Sequence, residues 1–170
     1  AGDVRYAGVS NFVGWQIATA ATWQVAFPGR AALVSAQVEY SLLARRAEME
    51  VLPAVRHFDM GFFPWSPLGR GVLTGKYRSA ADAGKSPRGG GVVGKYLNDR
   101  GLRILAALDQ VAADHKAELG EVALAWVAAQ PGVAAPLASA TSLEQVKSLA
   151  RGARLTLTSR DLALLEEAGK

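Results

Sequence analysis

Cysteine is absent from the 170 residues, so the chain has no disulfide framework, no thiolate nucleophile and no cysteine-based metal site. A reducing, cytoplasmic setting is the expectation from that composition. Charge of one sign is not concentrated either. Lys and Arg outnumber Asp and Glu by 19 to 15, giving +4, but they never form a run of five, so the surface reads as mildly basic and no nucleic-acid partner is expected. No apolar stretch reaches the ~18 residues of a membrane span, and no membrane partner is expected. The two histidines, His57 and His115, fall in separate helical segments without an HxxxH pair, so no metal site is expected. No GxSxG elbow is present. The chain opens Ala1-Gly2-Asp3, with neither a methionine nor a basic-then-apolar leader, and the expectation is that upstream sequence has been removed.

What is present is an alternation of short apolar runs and helix-period segments. Residues 4–9, 32–37, 60–65 and 133–137 read as strands, the third ending near Pro64, which cannot donate to a ladder. Residues 12–23 read as a helix capped by Ser10 or Asn11, and residues 48–58 as a short helix with Val51, Leu52, Val55 and Phe58 inward. Residues 66–94 read as irregular, and the Gly-, Ala- and Ser-rich part, 79–94, as a mobile loop. Leu102, Leu105, Leu108, Val111 and Ala112 mark one amphipathic helix; Leu119, Val122, Ala123 and Trp126 mark another. Leu143, Val146, Leu149 and Ala150 suit a further helix. A last one begins at Thr158, with Asp161 at capping-box spacing and Leu162, Leu165 and Ala168 as its core face. Strands followed by helices imply parallel pairing and an α/β fold. The pattern alone leaves open a doubly wound sheet or part of a barrel.

A parallel sheet places ligand sites at the carboxyl ends of its strands. Polar residues cluster at the four ends: Ser10-Asn11, Gln37 with Tyr40-Ser41, Trp65-Ser66-Pro67-Leu68-Gly69-Arg70-Gly71, and Ser139-Ala140-Thr141-Ser142 with Gln145. Taken singly, these are a helix cap, a core amide and turns; together they point to a shared site. The glycine loop around Gly69, Gly71 and Gly75 has the wrong spacing for a dinucleotide fingerprint. It also fails as a P-loop, because Arg70 stands at the first glycine position and Tyr77 where Ser or Thr must bind magnesium. What survives is either a plain turn or a loop whose N–H groups, with Arg70 and Lys76, suit a diphosphate. Trp65 reads as a core aromatic or as a flat platform for a heterocycle. Tyr40, Tyr77 and Tyr96 are possible acids, but no Lys or Asp is expected to perturb any of them.

Gly8-Val9-Ser10-Asn11-Phe12, Gln37-Val38-Glu39-Tyr40-Ser41-Leu42-Leu43 and Pro64-Trp65-Ser66-Pro67-Leu68-Gly69-Arg70-Gly71-Val72-Leu73-Thr74-Gly75-Lys76-Tyr77 resemble the aldo-keto reductase family in order and spacing. Val122-Ala123-Leu124-Ala125-Trp126 and Ala138-Ser139-Ala140-Thr141-Ser142-Leu143-Glu144-Gln145-Val146 continue the resemblance over essentially the whole chain. It implies a (β/α)8 TIM barrel, of which this chain would be the C-terminal half, strands five to eight with their helices. It implies an oxidoreductase that reduces a small-molecule carbonyl by hydride transfer from NADP(H). Ser10, Asn11 and Gln37 would bond the nicotinamide carboxamide and Trp65 would stack on its ring. Ser66, Leu68, Gly69, Arg70 and Lys76 would form the loop over the diphosphate. Ser139, Ala140, Thr141 and Gln145 would hold the adenosine 2′-phosphate and ribose.

Two departures accompany the resemblance. Members that strongly prefer NADPH place a cation near Ser139 or Gln145, and members commonly carry Glu and Asn where Ser148 and Leu149 stand. The family's catalytic Asp, Tyr, Lys and His motifs are also missing, so no catalytic residue is assigned here. The chain would orient a nicotinamide without protonating a product; a non-catalytic NADP(H)-binding module and an inert truncation are the alternatives. A half barrel would leave open sheet edges and is expected to be marginal or to self-associate.

Overall fold

The computed structural model describes residues 3–86 and 89–170. Three strands, β1 (Ala7–Ser10), β2 (Leu33–Gln37) and β3 (Gly61–Phe62), form a parallel sheet in sequential order, with helices α1 (Gly14–Ala26) and α2 (Val51–His57) as the crossovers. The chain continues through α3 (Gly89–Tyr96), α4 (Asp99–His115), α5 (Leu119–Ala128), α6 (Leu143–Gly152) and α7 (Ser159–Ala168). No helix among the described residues is long and apolar enough to cross a membrane.

The expected fourth strand is not a regular one. Val133 and Leu137 make single parallel bridges to Phe62 and Trp65. Ala134 N donates to Phe62 O at 2.8 Å and Leu137 N to Pro64 O at 2.7 Å, while Pro136 between them has no N–H to offer. β3 is shorter than residues 60–65 for a related reason. Its bonding toward β2 continues through Phe63 N to Ala36 O (2.9 Å) and Trp65 N to Val38 O (3.1 Å), but Pro64 interrupts the other side. Residues 4–6 precede β1 as exposed chain, and the β1–β2 register is irregular between Ala7 and Gly8.

The stretch 66–94 is a correction. It folds into 3-10 turns over Gly69–Thr74 and Ala80–Lys85 and then α3, with Pro87 and Arg88 outside the described residues. α3 forms against the helix propensity of Gly89, Gly90, Gly91 and Gly94, because Val92, Val93 and Tyr96 are buried. Gly89 also packs so closely on the Ala83 carbonyl that no side chain would fit there. α1 begins two residues later than expected. Asn11 is left-handed (φ 57°), and the Gln16 side chain, not Ser10 or Asn11, covers the helix start by accepting from Val13 N at 3.1 Å.

The core is continuous. Ile17 of α1, Ala36 and Phe62 of the sheet, Val55 of α2, Ile104, Leu105, Leu108 and Val111 of α4, Trp126 of α5 and Leu165 of α7 are all essentially inaccessible. Arg100 ties its ends together by donating to the carbonyls of Leu42 (3.1 Å), Leu43 (3.1 Å) and Gly169 (2.6 Å). α7 is capped as expected: Thr158 Oγ1 accepts from Asp161 N, and Asp161 in turn accepts from Thr158 N at 2.8 Å. Not all expected core positions are inside. Leu102 of α4 is exposed, as are Leu143, Val146 and Ala150 of α6, which meets the start of α5 through Ser148, Arg151 and the buried Gly152. Trp15, Trp23 and Phe27 on or beside α1 are exposed as well.

Gly14 sets how closely α1 approaches α2: a Cβ there would lie 2.6 Å from the Glu50 carbonyl oxygen. Gly14→Ala therefore destabilises the chain by about 1–3 kcal/mol through overpacking. Gly90→Ala, where a Cβ would meet nothing within 4 Å, gains up to about 1 kcal/mol in helix propensity. Thermal unfolding followed by circular dichroism checks the pair, which should shift in opposite directions.

Candidate functional site

The carboxyl ends of the strands form one rim. Ser10 and Gln37 are register partners, both exposed, and Asn11 N donates to Gln37 O at 2.9 Å. Trp65 is bridged to Glu39 on one side and to Leu137 on the other. A backbone ladder thus links the first, second, third and fourth predicted strand ends, and places Ser10, Gln37 and Trp65 on successive segments of one edge.

Asn11 has a role that its sequence position did not reveal. Its Oδ1 accepts from the Trp65 indole N–H at 2.9 Å, across 54 residues of chain. The left-handed backbone of Asn11, tolerated by an Asx side chain, turns the amide toward the third strand end. The indole is therefore held by a fixed hydrogen bond, and with Trp65 only half-buried its ring remains available as a surface.

The loop after Trp65 is built from left-handed residues: Ser66 (φ 54°), Gly69 (54°), Arg70 (55°), Gly71 (94°) and Gly75 (79°). Turn bonds from Gly69 N to Ser66 O, Gly71 N to Leu68 O and Gly75 N to Val72 O, each 2.9 Å, close it. Three successive left-handed residues, Gly69, Arg70 and Gly71, tighten the turn, and the N–H groups of Gly69, Gly71, Leu73 and Gly75 are spent on its own carbonyls, so what the loop offers an anion is chiefly the side chains of Arg70 and Lys76. Gly71 has a second reason to lack a side chain: a Cβ would stand 2.9 Å from Cε and 3.0 Å from Nζ of Lys76, which lies over it. Arg70 lies with its guanidinium carbon 5.8 Å from the Trp65 ring centre and Nε 3.6 Å from Glu39 Oε1.

Beside this loop lies a cleft of about 720 Å³, in the size range of small-molecule and cofactor sites. The structure brings Ser66, Leu68, Arg70, Lys76, Ser139 and Gln145 together on its walls. Ser10, Asn11, Gln37 and Trp65 stand on the adjoining rim rather than in the cleft, and Gly69 is buried beneath the loop. Ala140 and Thr141 lie outside the walls too. Thr141 N and Oγ1 both donate to Gln145 Oε1, at 2.7 and 3.2 Å, so this amide oxygen closes the chain's own turn. The sequence missed the opposite wall, Glu118, Leu119 and Gly120 at the start of α5, together with Glu144 of α6. No strand end precedes α5; it reaches the cleft only because it packs on the 69–74 turn.

Two carboxylates on those walls are held by neighbours. Glu118 accepts from Ser148 Oγ (2.8 Å) and Arg151 Nη2 (3.0 Å), and Glu144 pairs with Lys147 at 2.8 Å. Arg151 also pairs with the buried Glu121 at 2.7 Å. None of the three tyrosines lines the cleft. Burial first, and then the hydrogen bond to Glu48 at 2.7 Å, push the Tyr40 hydroxyl far above the ordinary phenol range. Contrary to expectation Tyr77 is perturbed: its 2.6 Å hydrogen bond with Ser86, and then the neighbouring Lys76, hold its hydroxyl below the ordinary phenol range against the effect of burial, while Tyr96 reaches Glu39 at 3.5 Å. Among the described residues, no three His, Asp or Glu side chains are grouped as a metal ion would require.

An uncharacterized oxidoreductase of Bacillus subtilis, YrpG, is 36% identical over 98% of this chain and 49% of its own length. The putative aryl-alcohol dehydrogenase AAD16 of Saccharomyces cerevisiae is 28% identical over 98% of the chain and 48% of its own length. A probable voltage-gated potassium channel subunit beta of Oryza sativa subsp. japonica is 34% identical over 85% and 45%. The chain spans about half the length of the curated relatives it matches. The sequence model of the Aldo/keto reductase family matches residues 1–170, and the chain belongs to that family.

Proposed function

We propose that this chain is the dinucleotide-binding portion of an NADP(H)-type oxidoreductase that reduces a small-molecule carbonyl, and that its three-stranded parallel sheet, together with the bridged segment 133–137, is a part, strands five to eight, of a (β/α)8 barrel. The observation that carries the reading is the junction of an oriented indole, a tight left-handed loop bearing two cations, and a cleft of about 720 Å³ along one rim. The donor set fits a nicotinamide dinucleotide. Ser10 and Gln37 offer hydroxyl and amide groups for a carboxamide, Trp65 a face for a pyridine ring, and the loop with Arg70 and Lys76 an anion cradle for a diphosphate. Ser139 and Gln145 offer polar contacts toward the far sugar. When bound, the dinucleotide supplies the hydride.

This chain's residues bind and orient. Trp65, held by Asn11, fixes one face of the ring, and the turn residues keep the cations beside the diphosphate. No tyrosine lines the cleft, so on this reading turnover would need a proton donor from outside these residues. A binding-only role is a second reading, favoured by the relative named a probable channel subunit beta. The apolar side chains exposed around α1 and the β1 edge also favour self-association of the isolated chain.

Titration with NADPH, followed by tryptophan fluorescence, tests the reading. The chain binds and quenches, yet reduces no aromatic aldehyde alone. Trp65→Ala removes the quenching and weakens binding about two- to tenfold, the worth of one aromatic stack. Aldehyde turnover by the isolated chain would overturn the division of labour, and unchanged quenching in Trp65→Ala would remove Trp65 from the site.

A further inference from the structure

We infer that Glu39 is a positioning residue of this rim. It holds the Arg70 guanidinium over the Trp65 indole as a latch that a dinucleotide must open, so that neutralising Glu39 tightens dinucleotide binding. The gain in affinity rests on the dinucleotide reading above; the latch is a property of the unliganded chain.

Two segments bring the three residues together. Glu39 and Trp65 are parallel bridge partners, fixed by the bonds from Trp65 N to Val38 O (3.1 Å) and from Tyr40 N to Trp65 O (3.3 Å). The carboxylate therefore stands on ladder backbone beside the indole. Arg70 comes from the loop that follows Trp65, and its own backbone is left-handed (φ 55°) between Gly69 (54°) and Gly71 (94°). A side-chain-bearing residue persists in that conformation where its surroundings over-determine it. Here they are Glu39 Oε1, 3.6 Å from Arg70 Nε, and the Trp65 ring centre, 5.8 Å from the guanidinium carbon. Ion pair and cation–π attraction act on one group.

Of the pair, Arg70 is the member that moves. The Glu39 side chain is 23% exposed against 44% for Arg70, and the Tyr96 hydroxyl of α3 reaches the same Oε1 of Glu39 at 3.5 Å. Trp65 is only half-buried, and its N–H edge is occupied by Asn11 Oδ1 at 2.9 Å. The indole surface open to a pyridine ring is limited, and the guanidinium lies over it. A ring that stacks there displaces Arg70, and the diphosphate beside the ring gives Arg70 a new anion. Binding thus exchanges Glu39 for phosphate oxygens, and the affinity is reduced by the fraction of chains with the latch closed. An exposed ion pair and an exposed cation–π contact are each worth a factor of a few, so the latch weakens binding about three- to tenfold.

Two measurements on wild type, Glu39→Gln, Arg70→Ala and the double variant test this, each variant first shown to have a native circular dichroism spectrum. The first needs no dinucleotide. Acrylamide quenching of the Trp65 emission is taken as the difference between each chain and its Trp65→Phe counterpart, because the chain has four tryptophans. Glu39→Gln and Arg70→Ala each raise the quenching of Trp65 about twofold, and the double variant raises it no further. The second is calorimetric titration with NADPH in about 0.05 M salt, where exposed charges are least screened. Glu39→Gln tightens NADPH about three- to tenfold, while on the Arg70→Ala background the same change alters affinity less than about twofold. Unchanged quenching in Glu39→Gln overturns the latch. Weaker or equal NADPH binding by Glu39→Gln overturns it too, as does an equal gain on both backgrounds, which marks the loss of a nearby negative charge alone. Absence of NADPH binding in every variant refutes the dinucleotide reading and the gain in affinity with it, while the quenching still decides whether Glu39 holds Arg70 on the indole.

Discussion

Removing the Lys76 ammonium, in Lys76→Ala, weakens nicotinamide dinucleotide binding by about ten- to a hundredfold, the worth of one hydrogen bond to a charged partner. Lys76 is exposed, lies over Gly71 in the left-handed turn, and has no carboxylate within ion-pair distance among the described residues. Its charge is therefore available to an anion at the loop. Arg70 is differently placed: Glu39 lies 3.6 Å from its Nε, and its guanidinium sits near the Trp65 face. Arg70→Ala loses a cation but also uncovers the indole, so its net effect is smaller than that of Lys76→Ala. Lys76→Arg keeps the charge and most of the affinity. Because the site is open to solvent, the wild-type advantage over Lys76→Ala shrinks as salt rises toward about 1 M, where screening is complete within a few ångströms. Calorimetric titration of the three variants at two salt concentrations measures the ranking. An affinity for Lys76→Ala within twofold of wild type would remove the loop from the anion site.

The elements that the sequence disclosed are those whose signals are local. α4 and α7 were visible because apolar residues recur on one helical face, and α7 also because Thr158 and Asp161 stand at capping-box spacing; the Asn98 side chain that caps α4 at Gly101 N emerged only from the structure. The elements that it concealed depend on distant partners. α3 carries four glycines and reads as a loop; burial of Val92, Val93 and Tyr96 makes it a helix. The fourth strand has apolar residues in the right place, but a strand is defined by its ladder, and Pro64 and Pro136 leave only bridges at Val133 and Leu137. The apolar period of α6 is present, yet Leu143 and Val146 stay exposed, since periodicity states which residues share a face and not whether another layer covers it.

The rim was legible for a topological reason: parallel strands must deliver their carboxyl ends to one side, whatever the residues in between. That logic placed Ser10, Gln37 and Trp65 correctly relative to one another. It had no access to contacts made by side chains alone. Asn11 reads as a cap or a carboxamide ligand, and its bond to the Trp65 indole spans 54 residues. Glu118 and Gly120 follow no strand end, so nothing in their neighbourhood marks them as a cleft wall.

That wall depends on one side chain more than any other, and Trp126→Ala is the substitution expected to cost most. Trp126 is wholly buried in α5, its ring centre 5.6 Å from that of Tyr40, with the Arg45 guanidinium carbon 5.2 Å away on the ring. Truncation leaves a cavity that Tyr40 cannot fill, because Tyr40 is fixed by its 2.7 Å bond to Glu48 and by edge contact with Phe62. A buried Trp→Ala change costs about 3–5 kcal/mol, against a total domain stability of about 5–15 kcal/mol. Trp126→Phe costs less. It keeps most of the ring volume, and the indole N–H that it deletes has no protein acceptor among the described residues, so no hydrogen bond is lost with it. Urea denaturation of wild type, Trp126→Phe and Trp126→Ala orders the three by midpoint, with the alanine variant far below the others. α5 carries Trp126 at one end and the cleft residues Glu118, Leu119 and Gly120 at the other, so the alanine variant loses dinucleotide binding in step with its loss of structure. An alanine variant within about 1 kcal/mol of wild type would mean that α5 is held by its contacts with the 69–74 turn and α6, and that the aromatic stack is not what anchors the cleft wall.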